Sequence, residues 1–331
     1  MGEIRNPATL SLFFKGRKGD PRLGEWVVPT DNLSPLKRSE KTTVVILGCP
    51  DDTGVIANRG RAGAAEGPDS IRKYFYKMTP PVDIEWENSL AVFDLGNVSI
   101  HADIRETQRR TQTLVKEIAE AGAIPIVLGG GHDFAAPHFF GFAEAHQKSK
   151  KKLGLVNVDP HLDVRPLENG RPHSGTSFRQ ILEAKIIRGE NFLEFGTAVN
   201  RNSRDHFNFC EKNGVMIETL GNIRKAAPTA TKRYQKHLSN LGKKVDKIAT
   251  TFDMDACCET EGVSAPPVIG FTAREMVTFA EHAGREKKVL SFEVAETAPG
   301  LEPGERSSRI AAEMVYAFLY GRASVISIRN K

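Results

Sequence analysis

The stretch Leu153-Gly154-Leu155-Val156-Asn157-Val158-Asp159-Pro160-His161-Leu162-Asp163 decides how this chain is read. Its first half is an apolar run of strand length, of the kind buried on both faces of a parallel sheet. Its second half changes character abruptly. Asp159, His161 and Asp163 stand at i, i+2 and i+4, so in an extended chain their side chains share one side. Three such groups converging at a buried strand end are very unfavourable without a cation. A solvated loop would account for their polarity but not for their alternation.

The same punctuation recurs on either side of this stretch. Runs at Thr43–Gly48, Ala91–Leu95, Ile124–Leu128, Leu153–Asp159, Asn191–Phe195, Val215–Thr219, Lys247–Asp253, Val289–Val294 and Ser324–Ile328 predict strands. Helical patterns lie between them at Pro68–Met78, Thr107–Ala121, Ala135–Gln147, Ser177–Ile187, Arg224–Leu241, Thr272–Ala283 and Ser308–Leu319. Ser307 or Ser308 serves as N-cap of the last. Strands alternating with helices predict an α/β fold with a mostly parallel sheet covered on both faces. With no Pro/Gly/Ser linker and no repeat, residues 43–331 read as one domain, and residues 1–42 as an N-terminal extension of unassigned order.

Composition closes off other classes. The chain has 331 residues, 40% hydrophobic and 26% charged, which is ordinary for a globular protein with a large core. No apolar run approaches the roughly 18 residues of a membrane span, and Met1 to Asp20 has no apolar signal region. Cys49, Cys210, Cys257 and Cys258 make no disulfide framework, so a reduced, cytoplasmic setting without membrane attachment is expected. Lys and Arg number 46 against 41 Asp and Glu, a formal charge of +5. The one dense basic run, Lys148 to Lys152, has no interleaved aromatics and reads as a solvated loop, so no nucleic-acid partner is expected.

In open α/β sheets functional residues gather beyond the carboxyl ends of the strands. The run Ile124–Leu128 leads into Gly129-Gly130-Gly131-His132-Asp133. Glycines there permit close backbone approach, but the spacing is neither a dinucleotide fingerprint nor a phosphate-binding loop. The run at residue 247 ends Phe252-Asp253-Met254-Asp255. Taken alone, that pair reads as an exposed strand end or a helix N-cap. After two other such strand ends it reads as a ligand pair. His132, Asp159, His161, Asp163, Asp253 and Asp255 are too many for one tetrahedral zinc site. They suit two divalent ions sharing carboxylates, with four Asp balancing two dications. An oxygen-rich set with imidazoles fits Mn²⁺. Two such ions about 3.5–4 Å apart can generate a hydroxide at neutral pH.

On these residues the chain resembles the ureohydrolases, the arginase, agmatinase and formiminoglutamase family. The family's Gly-Gly-x-His, Asp-Ala-His-x-Asp and x-Asp-x-Asp strand ends stand here as Gly129-Gly130-Gly131-His132, Asp159-Pro160-His161-Leu162-Asp163 and Phe252-Asp253-Met254-Asp255. Pro160 replaces the usual Ala and touches no ligand position. The resemblance implies a three-layer α/β/α arginase-like fold whose mostly parallel sheet has about eight strands. It implies two Mn²⁺ per chain. One would be held by His132, Asp159, Asp163 and Asp253, the other by Asp159, His161, Asp253 and Asp255.

Three further stretches look like formiminoglutamase: Asp51 to Arg72 with Asn58-Arg59-Gly60-Arg61, then His161 to Arg165 with Ser174-Gly175-Thr176-Ser177-Phe178, and Gly262-Val263-Ser264-Ala265-Pro266. Arginases carry Asn at the position of Arg165 and His at that of Phe178. A guanidinium two residues past a ligand can clamp a substrate carboxylate bidentately. The bland alternative for Arg165 is a surface pair with Glu168. Glu296 aligns with the family's substrate-contacting Glu and could accept from a cationic formimino group, with Glu293 behind it. Substrate contacts implied besides Arg165 are Ser174, Gly175, Thr176 and Asn200. His173 reads as an exposed loop residue, and Cys257 and Cys258 as bystanders with no activated-thiol context.

The resemblance thus implies hydrolysis of a small acidic substrate, N-formimino-L-glutamate, to L-glutamate and formamide in histidine degradation. Asp163 would act as acid and base, and Glu296 would hold the formimino nitrogen. The alternatives are a ureohydrolase for another guanidino acid and a non-catalytic, arginase-like metal-binding protein. A homo-oligomer is the family expectation.

Overall fold

Apolar runs flanked by polar turns pair side by side into one sheet. In the computed structural model, which describes residues 4–33, 41–149, 151–225 and 227–327, ten strands join it. They are β1 (Arg5–Asn6), β2 (Val28–Pro29), β3 (Thr42–Cys49), β4 (Leu90–Val98), β5 (Ile124–Gly129), β6 (Leu153–Val158), β7 (Phe192–Thr197), β8 (Met216–Thr219), β9 (Lys247–Asp253) and β10 (Val289–Ala295). The order is β1-β4-β3-β5-β10-β9-β6-β7-β8, with β2 also on β4. Only β1 runs antiparallel to its neighbour. The N-terminal segment therefore adds two short pieces to the β4 edge, and its Leu23 is buried.

The strands read as apolar throughout because both faces are covered. In β3, Val44 and Ile46 pack on one side with Phe279, Ile310 and Phe318. Val45 and Leu47 pack on the other with Leu114, Val115 and Phe139. The helices Ala273–Arg285 and Arg306–Ser327 thus cover one face, and Ile104–Glu120 and Ala135–Gln147 the other. Each fully buried side chain of this size contributes about 1.5–3 kcal/mol of transfer free energy. These layers form the α/β/α architecture expected from the sequence.

Three helix and strand expectations are corrected. Ser324–Ile328 is not a strand. The helix Arg306–Ser327 runs through it, and Ile328 lies outside the described residues. A short β-branched run cannot be told from buried helix by periodicity. Here Ala323 and Ser324 are buried on the helix, and Arg322 donates from Nη2 to Glu286 O at 2.9 Å and to Val289 O, locking the last turns against β10. Ser307 and Ser308 lie inside that helix rather than capping it, and the Ser307 amide is accepted by the Glu302 carboxylate. The predicted helix Arg224–Leu241 is two helices, Leu220–Lys225 and Ala230–Lys244. Pro228 lies between them, where its ring and missing N–H disfavour continuation.

Register places the site. Val158 and Val294 both pair with Phe252, and Val294 pairs with Leu128. The carboxyl ends of β5, β6, β9 and β10 are therefore level and adjacent, so the residues that follow them must meet.

Candidate active site

Beyond those four strand ends the chain turns tightly. The Gly130 amide donates to Cys49 O at 2.7 Å, and the Gly131 amide to Asp51 O at 3.0 Å. A Cβ on Gly130 would lie 2.0 Å from Asp51 O, so glycine is required for the approach. This turn delivers His132, which is fully buried. Its Nε2 lies 2.9 Å from Thr251 Oγ1. Its Nδ1 faces three carboxylates: Asp159 Oδ2 at 3.1 Å, Asp163 Oδ2 at 3.1 Å and Asp253 Oδ2 at 3.2 Å. Phe178 packs edge-on against the ring with centroids 5.5 Å apart.

A second group forms alongside. His161 Nδ1 lies 3.4 Å from Asp159 Oδ1 and 3.9 Å from Asp255 Oδ2. Asp253 Oδ1 accepts the Asp255 amide at 2.6 Å. Asp255 in turn accepts from Ser264 Oγ at 3.1 Å and the Ala265 amide at 3.0 Å. Donor atoms of His132, Asp159, Asp163 and Asp253 all lie within 4.8 Å of one another, as do those of His161, Asp253 and Asp255. Asp253 belongs to both groups, and Asp159 presents one oxygen to each imidazole. All six residues singled out from the sequence therefore meet.

Asp163, at φ 43°, and the adjoining Glu296, at φ 66°, adopt left-handed backbone. Such conformations cost about 1–3 kcal/mol each and persist only when surroundings impose them. Here the Phe178 amide donates to Asp163 O at 3.1 Å and the Glu296 amide to Gly130 O at 2.8 Å. Glu296 Oε1 accepts the His132 amide at 2.7 Å, while its buried Oε2 makes no hydrogen bond.

The electrostatics are those of a site short of positive charge. Burial, then the neighbouring aspartates, pushes Asp253 and Glu296 well above the usual carboxylate range. Burial likewise raises Asp163 and Asp255. Burial disfavours the imidazolium of His132, but the bonded carboxylates of Asp159, Asp163 and Asp253 overcome it and raise the group well above its ordinary value. His161 rises to about 10, its desolvation outweighed by Asp159. Asp159 is held far below the usual range, because both imidazoles outweigh its burial. The protons thus stand where cations would be favoured. Four carboxylates and two imidazoles converging without a counter-cation fit a pair of divalent, oxygen-preferring ions.

A cavity of about 340 Å³ is lined by His161, Asp163, Asp253, Asp255 and Glu296. Arg165 and Ser174 line it too. Arg165 forms no pair with Glu168, whose backbone instead bridges Arg171. Gly175 sits close to Arg165, where a Cβ would lie 2.9 Å from Arg165 Cδ, and its carbonyl accepts the Arg165 amide at 2.8 Å. Thr176 is fully buried and bonds its own turn at His173. Asn200 lies exposed on the 3₁₀ turn Val199–Arg201, outside the lining, while its neighbours Arg201 and Asn202 line the cavity. His173 is not an exposed loop residue. It is buried, and its Nδ1 accepts the Gly175 amide at 3.2 Å. Cys257 is buried with its thiol pushed up to about 12, the reverse of activation.

Lining residues given no role by the motifs are Arg201, Asn202 and His206. Arg201 and Asn202 follow the carboxyl end of β7 closely, and His206 lies in the first turn of the helix Arg204–Asn213 beyond them. Asn202 braces the loop Asp159–Asp163, donating to Pro160 O at 2.9 Å and accepting the Leu162 amide at 2.8 Å. Asn157 and Glu194 were also missed. Asn157 donates to Glu194 Oε2 at 2.8 Å and to Asp159 Oδ2 at 3.3 Å from beneath the site. A larger cavity, about 870 Å³ between Trp26 and Trp86, holds no such ligand group among the described residues.

The Arginase family profile matches residues 42–321, and the chain belongs to that family. It is an enzyme of the family by this fold and these relatives. A formimidoylglutamase of Clostridium tetani is 29% identical over 310 residues, covering 90% of this chain and 89% of the relative. One from Staphylococcus haemolyticus is 30% identical over 293 residues, with 87% and 89% covered. Among solved structures, Trypanosoma cruzi formiminoglutamase with Mn²⁺ superposes with a TM-score of 0.77 at 29% identity, covering 92% of this chain and 99% of that one. The Bacillus subtilis formimidoylglutamase shares the fold, with a TM-score of 0.81 at 23% identity and 94% of each chain covered. Among the described residues no helix is long and apolar enough to cross a membrane.

Proposed function

We propose that this chain hydrolyses N-formimino-L-glutamate to L-glutamate and formamide, as a manganese-dependent step in the breakdown of histidine. The observation that carries the proposal is one cavity lined by two unlike sets of groups. One is a cluster of carboxylates and imidazoles, and the other includes the guanidinium of Arg165. The substrate has the matching polarity, with a cationic formimino end and carboxylates at the other. Relatives named formimidoylglutamase support the same reading.

His132, Asp159, Asp163 and Asp253 would hold one Mn²⁺, and Asp159, His161, Asp253 and Asp255 the other. When bound, the pair supplies Lewis acidity and activation of water at neutral pH. Thr251 fixes His132 through Nε2, so that Nδ1 is the atom presented to the site. Glu296 Oε2, buried and without a partner, accepts a hydrogen bond from the formimino nitrogen and orients the reacting carbon. Water adds to that carbon and the bond to the glutamate nitrogen breaks. Asp163 takes the proton from the attacking water and passes it to the leaving amine. Arg165 holds a carboxylate of the glutamate portion.

The test is a turnover panel with Mn²⁺ over N-formimino-L-glutamate, arginine, agmatine and 4-guanidinobutanoate. Turnover of the first with little of the others is the expected result. Turnover of arginine or agmatine without the first overturns the assignment. Absence of hydrolysis of all four by a chain that binds two Mn²⁺ supports a binding protein instead.

A further inference from the structure

Resting on the substrate reading above, we propose that Arg201 binds the second carboxylate of the substrate, so that the cavity selects amidines bearing two carboxylates over those bearing one. Arg165 enters the cavity from the loop after β6, and Arg201 from the loop after β7, the neighbouring strand. The Arg201 guanidinium is fixed by two backbone carbonyls, Nη1 to Ala265 O at 3.2 Å and Nη2 to Pro266 O at 3.1 Å. These contacts orient it and leave further N–H donors and the whole positive charge unmatched. Among the described residues neither Arg165 nor Arg201 is in an ion pair.

A guanidinium already held in place gives up less freedom when it takes a ligand. That separates Arg201, which is half-buried, from Arg59, which lines the same cavity but is exposed. A third feature marks this side of the cavity as built for a ligand. His206 lines it too, and its buried Nδ1 has no hydrogen-bond partner. Burial and the nearby Arg165 charge lower the His206 pKa, so this imidazole joins as a neutral polar group.

The charges then balance by place. The cationic amidine lies at Glu296 and Asp163, and two carboxylates remain for the arginines. One arginine can pair with one of them. The other, desolvated and unpaired in a cavity of this size, would carry a large penalty. Arg201 is the remaining anchored cation. A substrate with a single carboxylate leaves one of the two arginines unmatched, which is the basis for discrimination.

Steady-state kinetics of the Mn²⁺-loaded full chain test this on three amidines. They are N-formimino-L-glutamate, N-formimino-L-norvaline, which lacks the side-chain carboxylate, and 4-(formimidoylamino)butanoate, which lacks the α-carboxylate. The wild-type chain should prefer the first by roughly 100-fold in kcat/KM over either other. Arg201→Met should lose roughly 100-fold on the first, mainly through KM, and leave one single-carboxylate amidine unchanged. Arg165→Met should spare the other, and Arg201→Lys should recover part of the loss.

Equal loss on all three amidines, with a lowered melting temperature, would make Arg201 only a strut between loops and overturn the proposal. So would a wild-type chain that does not discriminate among the three. Turnover of a guanidino dicarboxylate in place of the formimino compounds overturns the substrate reading alone, and the same variants then test Arg201 on that substrate. Preference for agmatine overturns both.

Discussion

Among the described residues, two buried clusters of charge are completed in opposite ways. Around Arg72 every charge finds its match within the protein. The guanidinium donates to both Asp94 oxygens, from Nε at 2.8 Å and from Nη2 at 3.0 Å, and also to Asn97 and the Gly96 carbonyl. Asp94 further accepts from Tyr76 and the Gly96 amide. At the carboxyl ends of β5, β6 and β9, four aspartates meet two imidazoles and no fixed cation. The first arrangement is matched within the protein. The second carries repulsion, left-handed backbone at Asp163 and an unpartnered Glu296 oxygen. A protein that leaves buried charge incomplete in one place and completes it in another marks the incomplete one as the site where something binds.

Substitutions can break this contrast. Asp253→Asn should lower kcat by about a thousandfold, with Mn²⁺ content falling below two per chain by elemental analysis. In the metal-free chain it should leave the melting temperature unchanged or higher, since it relieves carboxylate repulsion. Arg72→Met should do the reverse. It strands Asp94 and should cost about 3–5 kcal/mol in urea unfolding, while the folded fraction keeps its Mn²⁺ stoichiometry. A metal-free Asp253→Asn chain that melts well below the wild type would remove the distinction.

Acidity sharpens the same comparison. Mn²⁺ must displace the protons that the raised His132 and His161 hold, so affinity in chelator competition should fall steadily from pH 8 to pH 6. In the metal-free chain the sign for stability is opposite. A histidine with a raised folded pKa stabilises fully below its unfolded value of about 6.5. That contribution is lost as pH rises through about 10 for His161. Metal-free melting temperatures that do not decline over this window would contradict the pairing of His161 with Asp159. The smallest effect is expected from Thr251→Val, which frees the far nitrogen of His132 and should weaken Mn²⁺ about tenfold.

The clusters also differ in how far the sequence announces them. The site is legible because its carboxylates and imidazoles follow apolar runs at strand ends, where alternation and register leave little freedom. Asp159, His161 and Asp163 could be placed together from spacing alone, and the β6–β9 register does the rest. Arg201, Asn202 and His206 were less legible because no motif frames them, although they too follow a strand. The Arg72–Asp94 pair spans 22 residues between a helix and a neighbouring strand, and no periodicity reports such a contact. Eight of the nine predicted strands are present. The ninth, at Ser324, fails because packing of the helix Arg306–Ser327 against Ala273–Arg285 overrides the β-branched character of Val325 and Ile326. The helix Arg204–Asn213 was passed over despite its Ser203 N-cap and Gly214 at φ 75°, because it buries only Cys210 and shows a weak apolar stripe.

If two manganese ions complete the cluster and enable it to hydrolyse a formimino dicarboxylate, occupancy and turnover must rise together. The chain is stripped with chelator, Mn²⁺ is added back in steps, and bound metal and glutamate release from N-formimino-L-glutamate are measured on the same samples. Activity should be absent in the stripped chain and reach its plateau as occupancy reaches two Mn²⁺ per chain. Glutamate release by the stripped chain, or two bound Mn²⁺ with no release, would contradict it.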